Sequence, residues 1–166
     1  MSTDKVRPDL EGQRRFAAEW LRAKKNKVVP LRSDLRIENF FPDLGHVSIL
    51  QRGHEGFIFR LTGSALRGVL KTDPRGHAVD GVEVCRAHRA WTDIVETVIS
   101  DCVPKSGRDV WADGGVHVWV RLPLSSGRGE VDMVLCYDRV VLPEDKLSDT
   151  SIAGARRVGS ALERAA

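Results

Sequence analysis

The sequence lacks the short signatures on which most enzyme and metal-site assignments depend. It contains no phosphate-binding G-x-x-x-x-G-K-[ST], no dinucleotide-binding G-x-G-x-x-G, no G-x-S-x-G and no H-E-x-x-H pattern. Its three cysteines, Cys85, Cys102 and Cys136, are far apart and form no C-x-x-C pair. We therefore predict reduced thiols, and we expect neither a metal site built on cysteine nor a thioredoxin-like redox centre.

Long apolar runs are also missing. No segment approaches the roughly 18 consecutive apolar residues of a membrane-spanning helix, and the N-terminus has no signal-peptide-like stretch, so we expect a cytoplasmic protein with no membrane partner. The formal net charge of the 166 residues is only +3, which gives no reason to expect a nucleic-acid partner. With 42% hydrophobic and 30% charged residues, the composition is typical of one folded globular domain.

The positive charge is concentrated near the N-terminus, where residues 1–30 hold eight Lys or Arg and four Asp or Glu. Apolar residues in this segment recur at helical spacing and predict an amphipathic helix. The basic cluster at residues 22–27 is interpreted as a solvated helix face. The apolar stripe is expected either to cover a sheet within the chain or to form a homodimer contact; the candidates for either role are Phe16, Trp20, Leu21 and Trp119.

The order of predicted elements is a helix, two strands, short helices, one long helix over residues 82–100, three strands and a tail. This order predicts an α+β fold, a five-stranded antiparallel sheet with helices on one face, plus an N-terminal amphipathic helix and a C-terminal helical tail. We divide the chain into the N-terminal helix (1–29), a core (30–143) and a partly helical tail (144–166). The tail prediction rests on the helical spacing of Ile152, Ala155, Val158 and Leu162.

Several short segments resemble a bacterial branch of the PAS domain family, in its stand-alone single-domain form. The matching segments, in order, are Trp20 in a helix, Pro30-Leu31-Arg32-Ser33-Asp34 (P-x-R-x-D), Phe41-Pro42-Asp43-Leu44, residues 57–64 (F-x-x-R-L-x-G-[ST]), Asp73-Pro74-Arg75-Gly76 (D-x-x-G) and Leu122-Pro123-Leu124 (L-P-L). Together the segments cover about residues 15–142, in the order and spacing of the family.

The resemblance implies a sensory or protein-interaction module that is not an enzyme. Such domains bind haem, flavin or organic acids between the sheet and a long helix, or bind nothing and dimerise. The sequence contains no recognisable output module, so a signal is expected to pass to a separate partner protein. The flavin-reactive G-x-N-C-R-F-L-Q helix of the photoreceptor type has no counterpart here.

A ligand pocket needs apolar walls and a few converging polar groups. The residues proposed for it are Phe59, His88, Trp91, Val118, Val120 and Met133. His88 borders the apolar stripe of the predicted long helix, and the resemblance makes it the candidate axial ligand if the ligand is haem; the simpler interpretation is a hydrogen-bonded histidine at a helix edge. Arg60 and Arg121 are out of phase with the apolar strand residues, so we expect both to face away from the helices, as members of salt bridges.

Two further functions remain open from the sequence. One is a small acid-base enzyme on a similar sheet, with His88, His117 and Asp132 as its groups, although no nucleophile motif accompanies them. The other is a ligand-free dimerisation adaptor whose core is filled by side chains. No catalytic residue is assigned.

Overall fold

The computed structural model describes residues 8–143. The predicted helical tail at residues 144–166 lies outside the described residues, and the proposed division of the chain into three parts stays a prediction. The described part contains four α-helices and five strands: α1 (Pro8–Lys24), β1 (Val47–Gly53), β2 (Gly56–Thr62), α2 (Ser64–Leu70), α3 (Glu83–Ala87), α4 (Asp93–Asp101), β3 (Lys105–Val110), β4 (Val116–Leu124) and β5 (Met133–Val141). Four 3-10 segments lie between them: Arg32–Asp34, Ile37–His46, Val79–Gly81 and Arg89–Trp91.

The five strands form one antiparallel sheet in the order β2-β1-β5-β4-β3. The predicted five-stranded antiparallel sheet is therefore confirmed. The last strand, β5, lies in the centre between β1 and β4. Within the β3–β4 connection, Gly114 adopts a positive φ of 84°, and the Asp113 side chain accepts a hydrogen bond from the backbone N–H of Gly115 at 2.8 Å. These are the residue types that a tight hairpin turn requires.

Each face of the sheet carries its own apolar core. The helices α2, α3 and α4 cover one face, where the buried residues include Leu50, Phe59, Leu66, Trp91, Val95, Trp119, Val134 and Cys136. The helix α1 and the long 3-10 segment cover the other face, where they include Phe16, Trp20, Phe40, Val118, Val120, Leu122, Met133, Leu135 and Tyr137. Alternate residues of β4 and β5 therefore belong to different cores, as the period of two in a strand requires.

The helix α1 is fixed to the sheet by polar contacts as well as by apolar packing. The indole N–H of Trp20 donates to the carbonyl oxygen of Pro123 at 2.8 Å, and the Phe16 ring stacks on Phe40 with centroids 4.4 Å apart. Phe16 and Trp20 are buried, whereas Leu21 is 65% exposed. The structure thus places Phe16 and Trp20 as cover for the sheet and leaves Leu21 outside that core.

The predicted long helix over residues 82–100 is wrong, because the segment is broken in two places. The backbone is extended at His88 (φ −127°, ψ 123°), and Thr92 (φ −112°, ψ −94°) separates the 3-10 turn from α4. The carbonyl oxygen of Ala90 accepts a hydrogen bond from Nε of Arg121 at 2.6 Å. A long-range contact thus takes up a carbonyl that a continuous helix would bond internally, and helical spacing of apolar residues cannot reveal such a contact.

Candidate ligand-binding cleft

An open cleft of about 560 Å³ lies at one end of the sheet face that α2, α3 and α4 cover. Its walls come from α2, α3, the β3–β4 turn and the end of β5; the lining residues are Ala65, Gly68, Val69, Lys71, Val84, His88, Trp111, Ala112, Asp113, Val140 and Leu142. A second depression of about 480 Å³ shares Lys71, Val84 and His88 with it. The lining is mostly apolar with a few polar groups, as in small-molecule sites.

Gly68 lies on the α2 wall of the cleft, and the space beside it is free. A Cβ atom built on Gly68 meets no atom within 4 Å, although the residue is in the middle of a helix where glycine is unfavourable. A larger side chain at this position would therefore project into free space without displacing the core. This makes Gly68 the natural position at which to fill the cleft by substitution.

A chain of ring contacts leads from the cleft into the core. The His88 ring stacks on Trp111 (4.3 Å between centroids, 13° between planes), Trp111 meets His117 edge-on at 5.3 Å, and His117 stacks on Trp91 at 4.6 Å. Partial burial lowers the pKa of His88 from its ordinary value, and the nearby His117 lowers it further. His88 therefore presents a largely uncharged ring to the cleft near neutral pH.

Behind these rings lies a buried ionic network of three side chains. His117 Nε2 and Arg121 Nη2 each lie 2.7 Å from Oδ1 of Asp138, and all three side chains are fully buried. The remaining guanidinium donors of Arg121 bond the backbone carbonyl oxygens of Ala90, Val120 and Tyr137. Arg121 therefore has its charge and its hydrogen bonds satisfied within the protein.

The network fixes Asp138 as a carboxylate. Burial alone would raise the pKa of Asp138, but the charge of Arg121 and the hydrogen bonds from His117 and Arg121 hold that pKa below its ordinary value. An ionised Oδ1 accepts both hydrogen bonds, so Nε2 of His117 carries a hydrogen. Such a pair is stable in a core only when its hydrogen bonds are made, as they are here for Oδ1.

Within the part of the chain that the structure describes, four buried atoms in this region have no hydrogen-bond partner. They are Nδ1 of His117, Oδ2 of Asp138 and the indole Nε1 atoms of Trp91 and Trp111. Unsatisfied buried polar atoms are uncommon in folded proteins and each needs an explanation. The cleft therefore adjoins a region with spare hydrogen-bonding capacity.

The six residues predicted to line one pocket lie on opposite sides of the sheet. Phe59 and Trp91 belong to the core under α2–α4, and His88 lines the cleft. By contrast, Val118, Val120 and Met133 belong to the core under α1. The prediction that all six share a pocket is therefore wrong, although ligand binding by any one of them stays a prediction.

The error arose because the side chains of β4 were assigned to the wrong faces of the sheet. Arg121 and Trp119 point to the α2–α4 side, where the Arg121 guanidinium lies 5.4 Å from the Trp91 ring and 5.8 Å from the Trp119 ring. The prediction that Arg121 faces away from these helices is wrong. Trp119, a candidate for the cover under α1 or for a dimer contact, is instead buried in the α2–α4 core. Both faces of β4 are buried, so its valines do not mark the ligand side. Arg60 is exposed and bonds Gln51, as expected for a residue outside the pocket.

The other candidate reactive residues do not come together in one site. Both Ser126 N–H and its hydroxyl donate to the Asp132 carboxylate in the β4–β5 loop, so Asp132 serves that loop and does not join His88 and His117. The three cysteines are free, and burial raises the pKa of Cys136 to about 12, which makes that thiol unreactive. No group of three potential metal ligands occurs within residues 8–143.

The sequence analysis missed Trp111, Lys71 and the partnership of Asp138. Trp111 follows the edge strand β3, and Lys71 ends α2 in a left-handed conformation (φ 59°). Asp138 on β5 bonds His117 on the neighbouring strand β4. Local sequence spacing does not show these positions. The available signal was the polar alternation of His117, Trp119 and Arg121 along β4. Polar residues that alternate inside a strand buried on both faces indicate a polar site in the core.

Helices packed on both faces of a five-stranded antiparallel sheet, with a lateral cleft and a buried polar network, define a small α+β domain. Residues 9–135 match the family model described as PAS domain, and the chain belongs to the PAS domain family, whose members are generally sensory or signalling domains. The match includes α1 from its second residue onward. The bacterial branch suggested by the motifs stays a prediction. A comparison with curated proteins gives no match.

Three solved structures show similarity to this chain. A domain of an HTR-like protein from Haloarcula marismortui ATCC 43049 is 15% identical, with a TM-score of 0.46, and the match covers 57% of this chain and 95% of that one. The PAS domain of a protein from Colwellia psychrerythraea is 14% identical (TM-score 0.41; 63% and 96% covered). An RNA-binding Light-Oxygen-Voltage receptor is 12% identical (TM-score 0.44; 81% and 42% covered).

Within residues 8–143, no helix is both long and apolar enough to cross a membrane. The basic cluster at residues 22–27 is partly used inside the chain. Arg22 bonds Glu19, Lys27 bonds Asp34, and Ala23 is buried. The surface left for a partner is therefore smaller than the number of basic residues suggests.

Proposed function

We propose that this PAS domain is a small-molecule sensor that binds its ligand in the cleft between α2, α3 and the end of β5, and that signals to a separate partner protein. The observation that carries this proposal is the cleft of about 560 Å³, whose wall residue Trp111 contacts His117 of the buried His117–Asp138–Arg121 network. Its volume falls within the range of roughly 300–1,000 Å³ found for ligand sites. Haem bound through His88 is one specific form of this proposal.

The position of the cleft supports a route from ligand to partner. Val140 and Leu142 line the cleft at the end of β5, and the same strand passes under α1, where Tyr137 contacts Phe16 with ring centroids 4.9 Å apart. A ligand that shifts the end of β5 changes the surface on which α1 packs. We infer that the outer face of α1, where Leu21 is exposed, is the surface that a partner or a second copy of the chain contacts.

Filling the cleft tests the proposal. We expect native mass spectrometry of the wild type to detect a co-purified small molecule, or a metabolite screen to find a compound that raises its Tm. Gly68→Leu should abolish the bound mass or the Tm shift, because the new side chain occupies the cleft. Gly68→Ala, the matched control, should retain ligand binding. Both variants should be at least as stable as the wild type, since replacing a helical glycine contributes up to about 1 kcal/mol.

Two outcomes contradict the proposal that this domain senses a ligand in the cleft. One is a Gly68→Leu variant that retains full ligand binding, which would place the ligand elsewhere. The other is a wild-type protein with no bound mass and no stabilising metabolite; if it is also dimeric, the ligand-free adaptor explains it better. Substrate turnover that is lost in His88→Ala would instead support the acid-base enzyme.

A further inference from the structure

The cleft adjoins a second space of different chemical character. The second depression, of about 480 Å³, shares Lys71, Val84 and His88 with the cleft, so the two spaces lie side by side. Its walls come from the end of α2 and the start of α3, and they add the polar side chains of Thr72 and Glu83. A ligand that extends over both spaces therefore needs an apolar part for the cleft and a charged part for the second depression.

Two exposed side chains of opposite charge, Lys71 and Glu83, line this second depression. Among residues 8–143, neither side chain has a hydrogen bond or an ion pair, whereas the nearby Arg67 and Arg75 both pair with Asp73. The ammonium group of a lysine only donates hydrogen bonds, and an ionised carboxylate only accepts them. The depression therefore presents one cationic donor and one anionic acceptor to a ligand.

The backbone of Lys71 gives no reason for a lysine at this position. The residue ends α2 with φ 59° and ψ 23°, a left-handed conformation in which glycine is favoured because it has no Cβ atom. Its side chain nevertheless lines both spaces. The alternative role of Lys71 and Glu83 is to complement the ends of α2 and α3. That role affects stability alone, so ligand preference distinguishes the two roles.

The neighbouring cleft suits an aromatic group. The His88 ring stacks on Trp111 with 4.3 Å between centroids, and both residues line the cleft. Aromatic rings pack favourably on one another in offset or edge-on arrangements. Asp113, the other charged residue of the lining, accepts a hydrogen bond from the backbone N–H of Gly115 within its own turn. The ring of a ligand thus fits the cleft, and its charged groups fit the second depression.

Resting on the proposed function, we propose that the sensor binds an α-amino acid with an aromatic side chain. The carboxylate of this ligand bonds Lys71, its ammonium group bonds Glu83, and its ring lies in the cleft beside His88 and Trp111. A ligand with a single charge satisfies only one of the two side chains and brings its own charge near a like charge. A zwitterion matches both side chains at once, so the charges of the depression name the ligand class of the sensor.

Isothermal titration with three probes tests this ligand class. The probes are phenylalanine, 3-phenylpropanoate, which lacks the ammonium group, and 2-phenylethylamine, which lacks the carboxylate. Wild-type protein should bind phenylalanine at least about tenfold more tightly than either of the others. Lys71→Gln should lose most of the preference over 2-phenylethylamine, and Glu83→Gln most of the preference over 3-phenylpropanoate. Arg86→Gln, at an exposed position of α3 that lines neither space, is the matched control and should keep both preferences.

The wild-type comparison needs no variant, so it decides the matter even if a variant does not fold. Equal or tighter binding of either singly charged probe overturns the amino-acid proposal and leaves the sensor function standing. If no probe binds, the amino-acid proposal also fails, while the metabolite screen decides the sensor function. Lys71→Gln and Glu83→Gln variants with an altered Tm but unchanged preferences mean that the two charges only complement helix ends, which overturns it as well. Phenylalanine binding that survives in Gly68→Leu places the site outside the cleft, which overturns both proposals.

Discussion

Two buried carboxylates, one on each side of the sheet, show how single residues hold this protein together. Asp138 anchors the network beside the cleft, whereas Glu19, only 4% exposed, connects α1 to the segment that follows it. The Glu19 carboxylate accepts hydrogen bonds from the Arg22 side chain, the Arg36 backbone N–H and the Asn39 side chain. Glu19 is thus a structural residue, and its partners give it a measurable pH signature.

The pKa of Glu19 predicts acid sensitivity. Burial alone would raise this pKa, but the hydrogen bonds from Arg22, Arg36 and Asn39 lower it from the ordinary value of 4.5 to about 2. A depressed folded-state pKa stabilises the protein above pH 4.5, and the contribution is lost as the pH falls toward 2. We expect Glu19→Gln to lose roughly 2–3 kcal/mol of unfolding free energy at neutral pH, and its urea midpoint should fall less than that of the wild type between pH 5 and 2.

The wild type and Glu19→Gln share the other carboxylates whose pKa values are lowered, namely Asp34, Asp73 and Asp138. The difference between the two urea-midpoint curves therefore isolates Glu19. Parallel curves for wild type and Glu19→Gln would contradict the structural role assigned to this residue.

The motifs that resemble the family could be recognised from the sequence. Local contacts explain why particular residues of these motifs are needed. Asp34 accepts hydrogen bonds from the Leu31 backbone N–H and from Lys27. A Cβ atom on Gly63 would overlap the carbonyl oxygens of Leu44 and Gly45, so only glycine fits there. The polar network could not be predicted in the same way, because Arg121 and Asp138 are brought together by strand pairing and carry no local pattern.

At the scale of elements, one hydrogen bond connects α1 to a strand end that is distant in the sequence. Trp20 in α1 donates to Pro123 of the L-P-L strand end, so two separate segments of the family resemblance are in contact. Apolar packing of Phe16 also holds the helix, as does the Gln13 amide, which donates to the carbonyl oxygens of Gly107 and Trp119.

We expect Trp20→Phe to destabilise the protein by about 1–3 kcal/mol, because the buried carbonyl oxygen of Pro123 loses its donor. Leu21→Ala, at the next position of the same helix, removes an exposed side chain and should change the unfolding free energy by less than about 0.5 kcal/mol. Urea unfolding of both variants measures the difference. Equal effects of the two substitutions would show that α1 does not pack on the sheet through Trp20.

The interrupted helix between Val82 and Asp101 shows where element prediction fails. Its apolar spacing is helical, and the sequence predicts that helical residues occur there. The breaks at His88 and Thr92 depend on Trp91 and on the Arg121 bond to Ala90, which come from the tertiary fold. The same breaks place His88 at the cleft, so the feature that sequence missed is the one that shapes the site.

For the whole molecule, the five-stranded antiparallel sheet followed from the order of elements, whereas the spatial order of its strands and the assignment of strand faces did not. A sheet covered on both sides buries both faces of β4 and β5, so apolar alternation no longer distinguishes inside from outside. The sheet separates an α1 core from an α2–α4 core, and only the second borders the cleft. The central claim is that a small molecule binds on that second side.

The four tryptophans provide the most direct test of this claim, because each indole N–H gives one signal in a ¹⁵N–¹H correlation spectrum. The indoles of Trp20 and Trp119 are bonded to Pro123 and Asp109, whereas Nε1 of Trp111, which lines the cleft, has no hydrogen-bond partner within residues 8–143. During titration with a compound that raises the Tm of the wild type, we predict that the Trp111 signal shifts and saturates while the Trp20 signal stays fixed. A shift of Trp20 with Trp111 unmoved, or no saturable shift of any indole, would contradict the account.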